Sequence, residues 1–182
     1  MTASPVHPPP ATSLLRHSPR GEPAHFDWLV VLDGSTPDAE ARVVPCYRLA
    51  SRLDLAESGA ALEALALPPH RGLYLTLGEP RTLSGDRGRI EPVRHGVVRA
   101  VRPVGEALLI DLTWNAVGAG THGPEEHPGA VAMRLRVESP SDESGGPIGI
   151  RVEGVETISQ DAEARAWAGP EKFAPEARGV RR

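Results

Sequence analysis

The sequence predicts a mainly β protein, a small curved antiparallel β-barrel with one or two short helices. Three observations predict it. Short runs rich in Val, Leu and Ile recur from Leu14 to Ile158. Turn residues separate them at close intervals. With 19 Gly and 19 Pro in 182 residues, little uninterrupted chain is left for long helices. Hydrophobic residues make up 40% and aromatics only 4%, so the expected core leans on Leu, Val, Ile and Ala.

The elements follow in order. Residues 1–11 are Pro-rich and expected to be disordered, 12–158 form the β domain, and 159–182 form a flexible tail. Leu14 to His17 opens a first strand. His25 to Asp33, HFDWLVVLD, is the clearest one, stopped by Gly34. On it His25, Asp27 and Leu29 share one face, and Phe26, Trp28 and Val30 share the other. Ala41 to Leu49 reads as its hairpin partner, with Pro45 marking an edge or a bulge. Ser58 to Leu65 reads as a short helix capped by Ser58 and ended by Pro68 and Pro69. Strands are then expected at Gly72–Leu77, Gly88–Arg94, Val97–Arg102, Ala107–Trp114, Ala130–Glu138 and Ile148–Ile158. His95 and Gly96 form a turn, and a brief helix is expected near residues 161–168.

Composition narrows the function. A single cysteine, Cys46, excludes an internal disulfide and a multi-cysteine zinc site, and its apolar run suits a buried small hydrophobe better than a reactive thiol. No run reaches the ~18 apolar residues of a membrane span. The N-terminus lacks a charged segment followed by an apolar one, so a cytoplasmic, non-membrane protein is expected. The net charge of −4 argues against a general nucleic-acid coat. Residues 71–102 nevertheless carry 7 Arg against 3 acids. That basic stretch suits a phosphate-bearing ligand, and it equally suits a solvated strand face.

The residues that can carry chemistry begin with His25 and Asp27. Two apart on a strand, they point the same way. His17 precedes them across a turn with Pro19, Gly21 and Pro23, so a return strand can bring it opposite. Two nitrogens and a carboxylate suit Mn²⁺, Zn²⁺ or Fe²⁺. The same pattern also fits a surface histidine at 17 beside a half-buried, hydrogen-bonded His25–Asp27 pair. In LPPHRGLYL, His70 and Tyr74 share a face on an extended segment and can both donate to phosphate oxygens, while Arg71 should face away. A loop histidine and a wall tyrosine are the plain alternative. SGDRGRI, residues 84–90, reads as a hairpin turn, with phosphate contact as the other option. His122 and His127, in THGPEEHPG with Glu125 and Glu126, read as a solvated acidic loop in preference to a metal site, and Trp114 reads as core.

Taken in order, these pieces resemble the 3′-phosphoesterase domain of bacterial DNA ligase D. LLRHSP is similar to its first histidine strand, HFDWLVVLDG to its His-Tyr-Asp-Phe-Arg strand, HRGLYLTLGEP to its His-Pro-Leu-x-Tyr segment, and SGDRGRIEPVRHG to its Gly-rich turn. The resemblance covers residues 12 to 114 and extends less clearly to 158. It implies a small curved β-barrel with the site on its concave face. It also implies a metal centre of His17, His25 and Asp27 holding Mn²⁺ (Zn²⁺ being possible), and a phosphate-handling pair, His70 and Tyr74. The implied activity is removal of 3′-phosphates or 3′-ribonucleotides from DNA ends. The implied partners are nucleic-acid 3′ ends and a DNA ligase, for a protein acting as a monomer. The departures are specific. Leu29 stands where the family has arginine, the His17–His25 gap is two residues longer, Leu77-Gly78-Glu79 replaces Phe-Glu-Gly, and Arg94-His95 replaces Trp-Asp. A catalytically eroded barrel that binds nucleic acid or a protein is the alternative they leave open.

Overall fold

In the computed structural model, residues 11–115, 129–138 and 146–158 are described. The expected terminal segments, the helix near 161–168, and His122 and His127 lie outside them. Among the described residues nine strands form one antiparallel sheet: β1 (Thr12–Ser18), β2 (His25–Val30), β3 (Arg42–Leu49), β4 (Ala61–Arg71), β5 (Arg81–Thr82), β6 (Arg89–Val104), β7 (Ala107–Trp114), β8 (Ala130–Glu138) and β9 (Ile148–Ile158). Their order is β1-β2-β3-β4-β9-β8-β7-β6-β5, and β1 also pairs with β6, so the sheet curves into a ring. The mainly β expectation holds. Among the described residues helical structure is confined to two 3₁₀ turns, Leu53–Leu55 and Gly72–Thr76.

The interior of the ring is filled by one apolar cluster drawn from nearly every strand. Leu14, Trp28, Leu49, Ile110, Leu112, Trp114, Leu135 and Ile150 are all buried within it. Trp114 is core, as its sequence position suggests. Buried polar groups there are paired. The Trp28 indole donates to the Thr12 hydroxyl at 2.8 Å, which donates to the Leu29 carbonyl at 2.8 Å.

A second, smaller cluster lies on the other face of β1–β3. Leu15, Leu29, Val31, Val44 and Cys46 form it, and Leu75 of the Gly72–Thr76 turn covers it. Cys46 is buried, and burial, with the Asp27 charge adding to it, pushes its thiol far above the ordinary range.

Three expected elements differ. The helix expected over Ser58–Leu65 is instead a turn leading into the start of β4. Its residues alternate, with Ala64 buried and Leu65 exposed, and pairing to β3 and β9 outweighs the local helix signal. Pro68 and Pro69 are accommodated because β9 pairs only with Ala61–Ala64, leaving that end of β4 one neighbour. Pro45 sits at a register shift of β3, the bulge its position suggested. The strand expected at Gly72–Leu77 is a 3₁₀ turn. The two strands flanking His95–Gly96 are one 16-residue strand, β6. Gly96 is where β6 passes from β1 to β7, opposite both Thr12 and Trp114. A Cβ there would meet the Thr113 carbonyl, so only glycine lets three strands come this close.

Candidate metal centre

The antiparallel register of β1 and β2 places His17 directly across from His25, and Leu15 across from Asp27. Residues 17, 25 and 27 therefore share one face. Their ligand atoms lie within 4.8 Å of one another, so the cluster can hold a metal ion. Its face is the one carrying the second cluster. The larger apolar cluster packs on the opposite face of these strands.

Each histidine has one nitrogen fixed by the backbone and one left toward the centre. His17 Nε2 donates to the Arg87 carbonyl at 2.8 Å, which leaves Nδ1 as a lone pair 3.6 Å from Asp27 Oδ2. The His25 ring hydrogen-bonds the backbone of Pro23, which has only a carbonyl to offer, and its Nε2 lies 3.5 Å from Asp27 Oδ1. These last two atoms are buried and have no hydrogen-bond partner. Buried orphan atoms of this kind are costly when nothing sits between them. A cation resolves both, since two ligands about 2.1 Å from a metal at a tetrahedral angle are about 3.4 Å apart. Backbone carbonyls in these positions are the kind of outer partner that would fix the tautomer of both rings were they to hold a metal. Burial holds the His25 imidazole below its ordinary range, opposed by Asp27 and reinforced by Arg48 and His17. A neutral ring is the form that ligates.

The turn at 83–88 is part of the centre. Leu83 N–H donates to the Gly88 carbonyl at 2.8 Å, closing the hairpin expected in SGDRGRI. Gly88 has φ +87°, and a Cβ there would overlap the Ser18 carbonyl and Pro19. That close approach is what brings the Arg87 carbonyl to His17.

His70 and Tyr74 stand beside the centre. Their rings are 5.9 Å apart, and both line a cleft of about 110 Å³ together with His17, Asp27, Arg42 and Arg87. The juxtaposition arises from the 3₁₀ turn rather than from the extended segment expected. His70 Nδ1 donates to the Pro68 carbonyl at 2.9 Å, leaving Nε2 as its free ring nitrogen. Arg71, expected to face away, lines an adjoining cleft that Tyr74 also lines. Sequence reasoning missed Arg42, Arg81 and Arg48. Arg48 is directly across from Asp27, and its Nε is buried without a hydrogen-bond partner. The local excess of arginine over residues 71–102 hinted at Arg81, and the phosphate-contact option for SGDRGRI hinted at Arg87. His95, expected in a turn, instead holds the cover segment through its Nε2 and the Leu77 carbonyl at 2.9 Å.

The fold and the centre together define a curved antiparallel β-sheet protein with a two-histidine, one-aspartate cluster able to hold a cation. Comparison with protein-family models finds no match to this chain, and comparison with curated proteins finds none either. Among the described residues no helix is long and apolar enough to cross a membrane.

Proposed function

We propose that the chain is a metal-dependent phosphoesterase similar to the 3′-end-processing domain of DNA ligase D, acting on 3′-phosphate or 3′-ribonucleotide ends of DNA. One observation carries the reading: His25 Nε2 and Asp27 Oδ1 are buried and unpartnered 3.5 Å apart, in a cluster whose His17 and Asp27 share a cleft with His70 and Tyr74. Mn²⁺ is the metal the resemblance implies, and Zn²⁺ is accepted by the same donors. Held by His17, His25 and Asp27, a divalent cation supplies charge that polarises a phosphoryl oxygen and acidifies bound water.

The chain's own groups do the rest. With Nδ1 committed to Pro68, His70 can carry a transferable proton at Nε2. In the proposed hydrolysis, water adds to phosphorus and loses a proton to solvent, the ester P–O bond breaks, and the departing oxygen takes the proton from His70. The Tyr74 hydroxyl donates to a phosphate oxygen and fixes its orientation. Arg42 and Arg87, in the cleft wall, supply positive charge that Leu29 does not. A DNA ligase needing a 3′-hydroxyl is the partner this product suits.

A second reading is favoured by Leu29, fully buried in the second cluster where the family carries arginine. It is a catalytically silent scaffold binding nucleic acid or a protein. Release of inorganic phosphate from a 3′-phosphorylated primer–template with added Mn²⁺ separates the two. Turnover in the unmodified protein, lowered at least about 100-fold in His25→Ala, supports the esterase. Absence of turnover in the unmodified protein selects the scaffold.

A further inference from the structure

A second cleft of about 220 Å³ adjoins the first, lined by the guanidinium side chains of Arg42, Arg71, Arg81 and Arg87 with Thr82 and Ser84. No carboxylate lines it. Four like charges around a small cavity repel one another, and a bound anion relieves the repulsion. Little within the protein does so. Arg71 meets Glu40 at 3.1 Å, on the exposed rim. Arg87 contacts only neutral acceptors of Ser84, at 2.9 and 3.2 Å. Arg42 and Arg81 form no ion pair among the described residues. Guanidinium forks and hydroxyls are the donor set that phosphate takes.

The two clefts adjoin. Arg42, Tyr74, Leu83 and Arg87 line both. A ligand with one end at the His17–Asp27 cluster therefore runs directly into the arginines. We propose that the arginine cleft is a subsite for a second, non-reacting phosphate, so that the ligand is a nucleoside carrying phosphates on both its 3′ and 5′ oxygens. That grouping occurs at the end of an oligonucleotide and in a free nucleoside 3′,5′-bisphosphate. The assignment rests on the phosphoesterase reading for the placement of the first phosphate.

The test uses fluorescence anisotropy with the full chain and labelled deoxyoligonucleotides ending in a 3′-phosphate, in EDTA so that nothing turns over. One probe has an ordinary phosphodiester before the last nucleoside, and the other has an uncharged methylphosphonate there. The unmodified protein is expected to bind the charged probe about 10-fold more tightly, the scale of one charge-assisted contact. The Arg71→Ala/Arg81→Ala double variant is expected to lose that preference while keeping its affinity for the methylphosphonate probe. If the double variant does not fold, Arg81→Gln alone, at an exposed position of the two-residue β5, gives the same reading. Equal binding of both probes by the unmodified protein overturns the subsite. Competition with a nucleoside 3′,5′-bisphosphate assigns the source. Displacement at the oligonucleotide's own affinity points to a free nucleotide, and a loss of 10-fold or more points to a nucleic-acid end. An arginine-dependent preference without phosphate release in Mn²⁺ removes the esterase and keeps the subsite. Phosphate release with no preference does the reverse.

Discussion

Asp27 is the residue on which the candidate centre turns. Its two oxygens face the two histidines at 3.5 and 3.6 Å, too far to be hydrogen bonds and suitable for sharing a cation. Its side chain is only 6% exposed, so the carboxylate is held in place at a cost that a metal offsets. The metal is therefore expected to stabilise the fold, by about 2.7 kcal/mol at a hundred times its dissociation constant. Asp27→Asn should abolish that gain while leaving the metal-free protein no less stable than the unmodified chain. Thermal melts with and without Mn²⁺ check both statements, and a metal-free variant that melts several degrees lower would argue for an ordinary structural hydrogen bond at this position.

At the scale of elements, the turn between β5 and β6 is the part that completes the site. Gly88 sits at φ +87° against Ser18 and Pro19, so Gly88→Ala adds both backbone strain and a collision. The expected outcome is a turn pushed away from β1, an unanchored His17 and Mn²⁺ affinity lowered about 10- to 100-fold, as for loss of an outer-shell partner. The ring interior is remote from this turn, so far-UV circular dichroism should be unchanged. Calorimetric titration with Mn²⁺ reads the affinity. The cover segment gives a second prediction at this scale. Burial holds His95 below the ordinary histidine range, opposed by its backbone hydrogen bonds. In the unfolded chain it takes a proton as the pH falls below about 6.5, whereas in the folded chain it resists. Stability is thus complete above that value and declines as the pH drops from about 6.5 toward the folded-state pKa. His95→Gln should make the decline shallower in melts between pH 7.5 and 5.5, with the buried His25 supplying the remainder, and an equally steep decline in the variant would assign the whole effect elsewhere.

For the molecule as a whole, the ring is tied by a buried ionic cluster. Asp54 accepts from Arg52 at 2.6 Å and from Arg94 at 3.5 Å, and the Asp54 and Arg94 side chains are at most 1% exposed. Arg94 also donates to the carbonyls of Asn115, at 2.9 Å, and of Gly129. One guanidinium on β6 thereby joins the 3₁₀ turn at Leu53–Leu55 to the end of β7 and the start of β8. Arg94→Met leaves the buried Asp54 with Arg52 alone and orphans two carbonyls. A loss of about 3–5 kcal/mol is expected. Urea unfolding measures it, and a loss under 1 kcal/mol would mean that the Arg52 pair suffices.

What the sequence determined by itself was the β class, several strand limits and the residues of the candidate centre. Ala107–Trp114, Ala130–Glu138 and Ile148–Ile158 are strands at the limits their apolar runs suggest. His25 and Asp27 share a face because strand periodicity leaves no other choice. Tertiary structure decided the rest. Ser58–Leu65 lies in a turn and strand because β3 and β9 supply hydrogen bonds that a local helix signal cannot anticipate. Residues 72–76 turn back across the sheet, which is why Tyr74 faces His70 and why Arg71 joins Arg42, Arg81 and Arg87. Those arginines come from β3, from the end of β4, from β5 and from the turn that follows β5. Their convergence depends on the closure of the ring, a long-range fact that no local pattern of residues encodes.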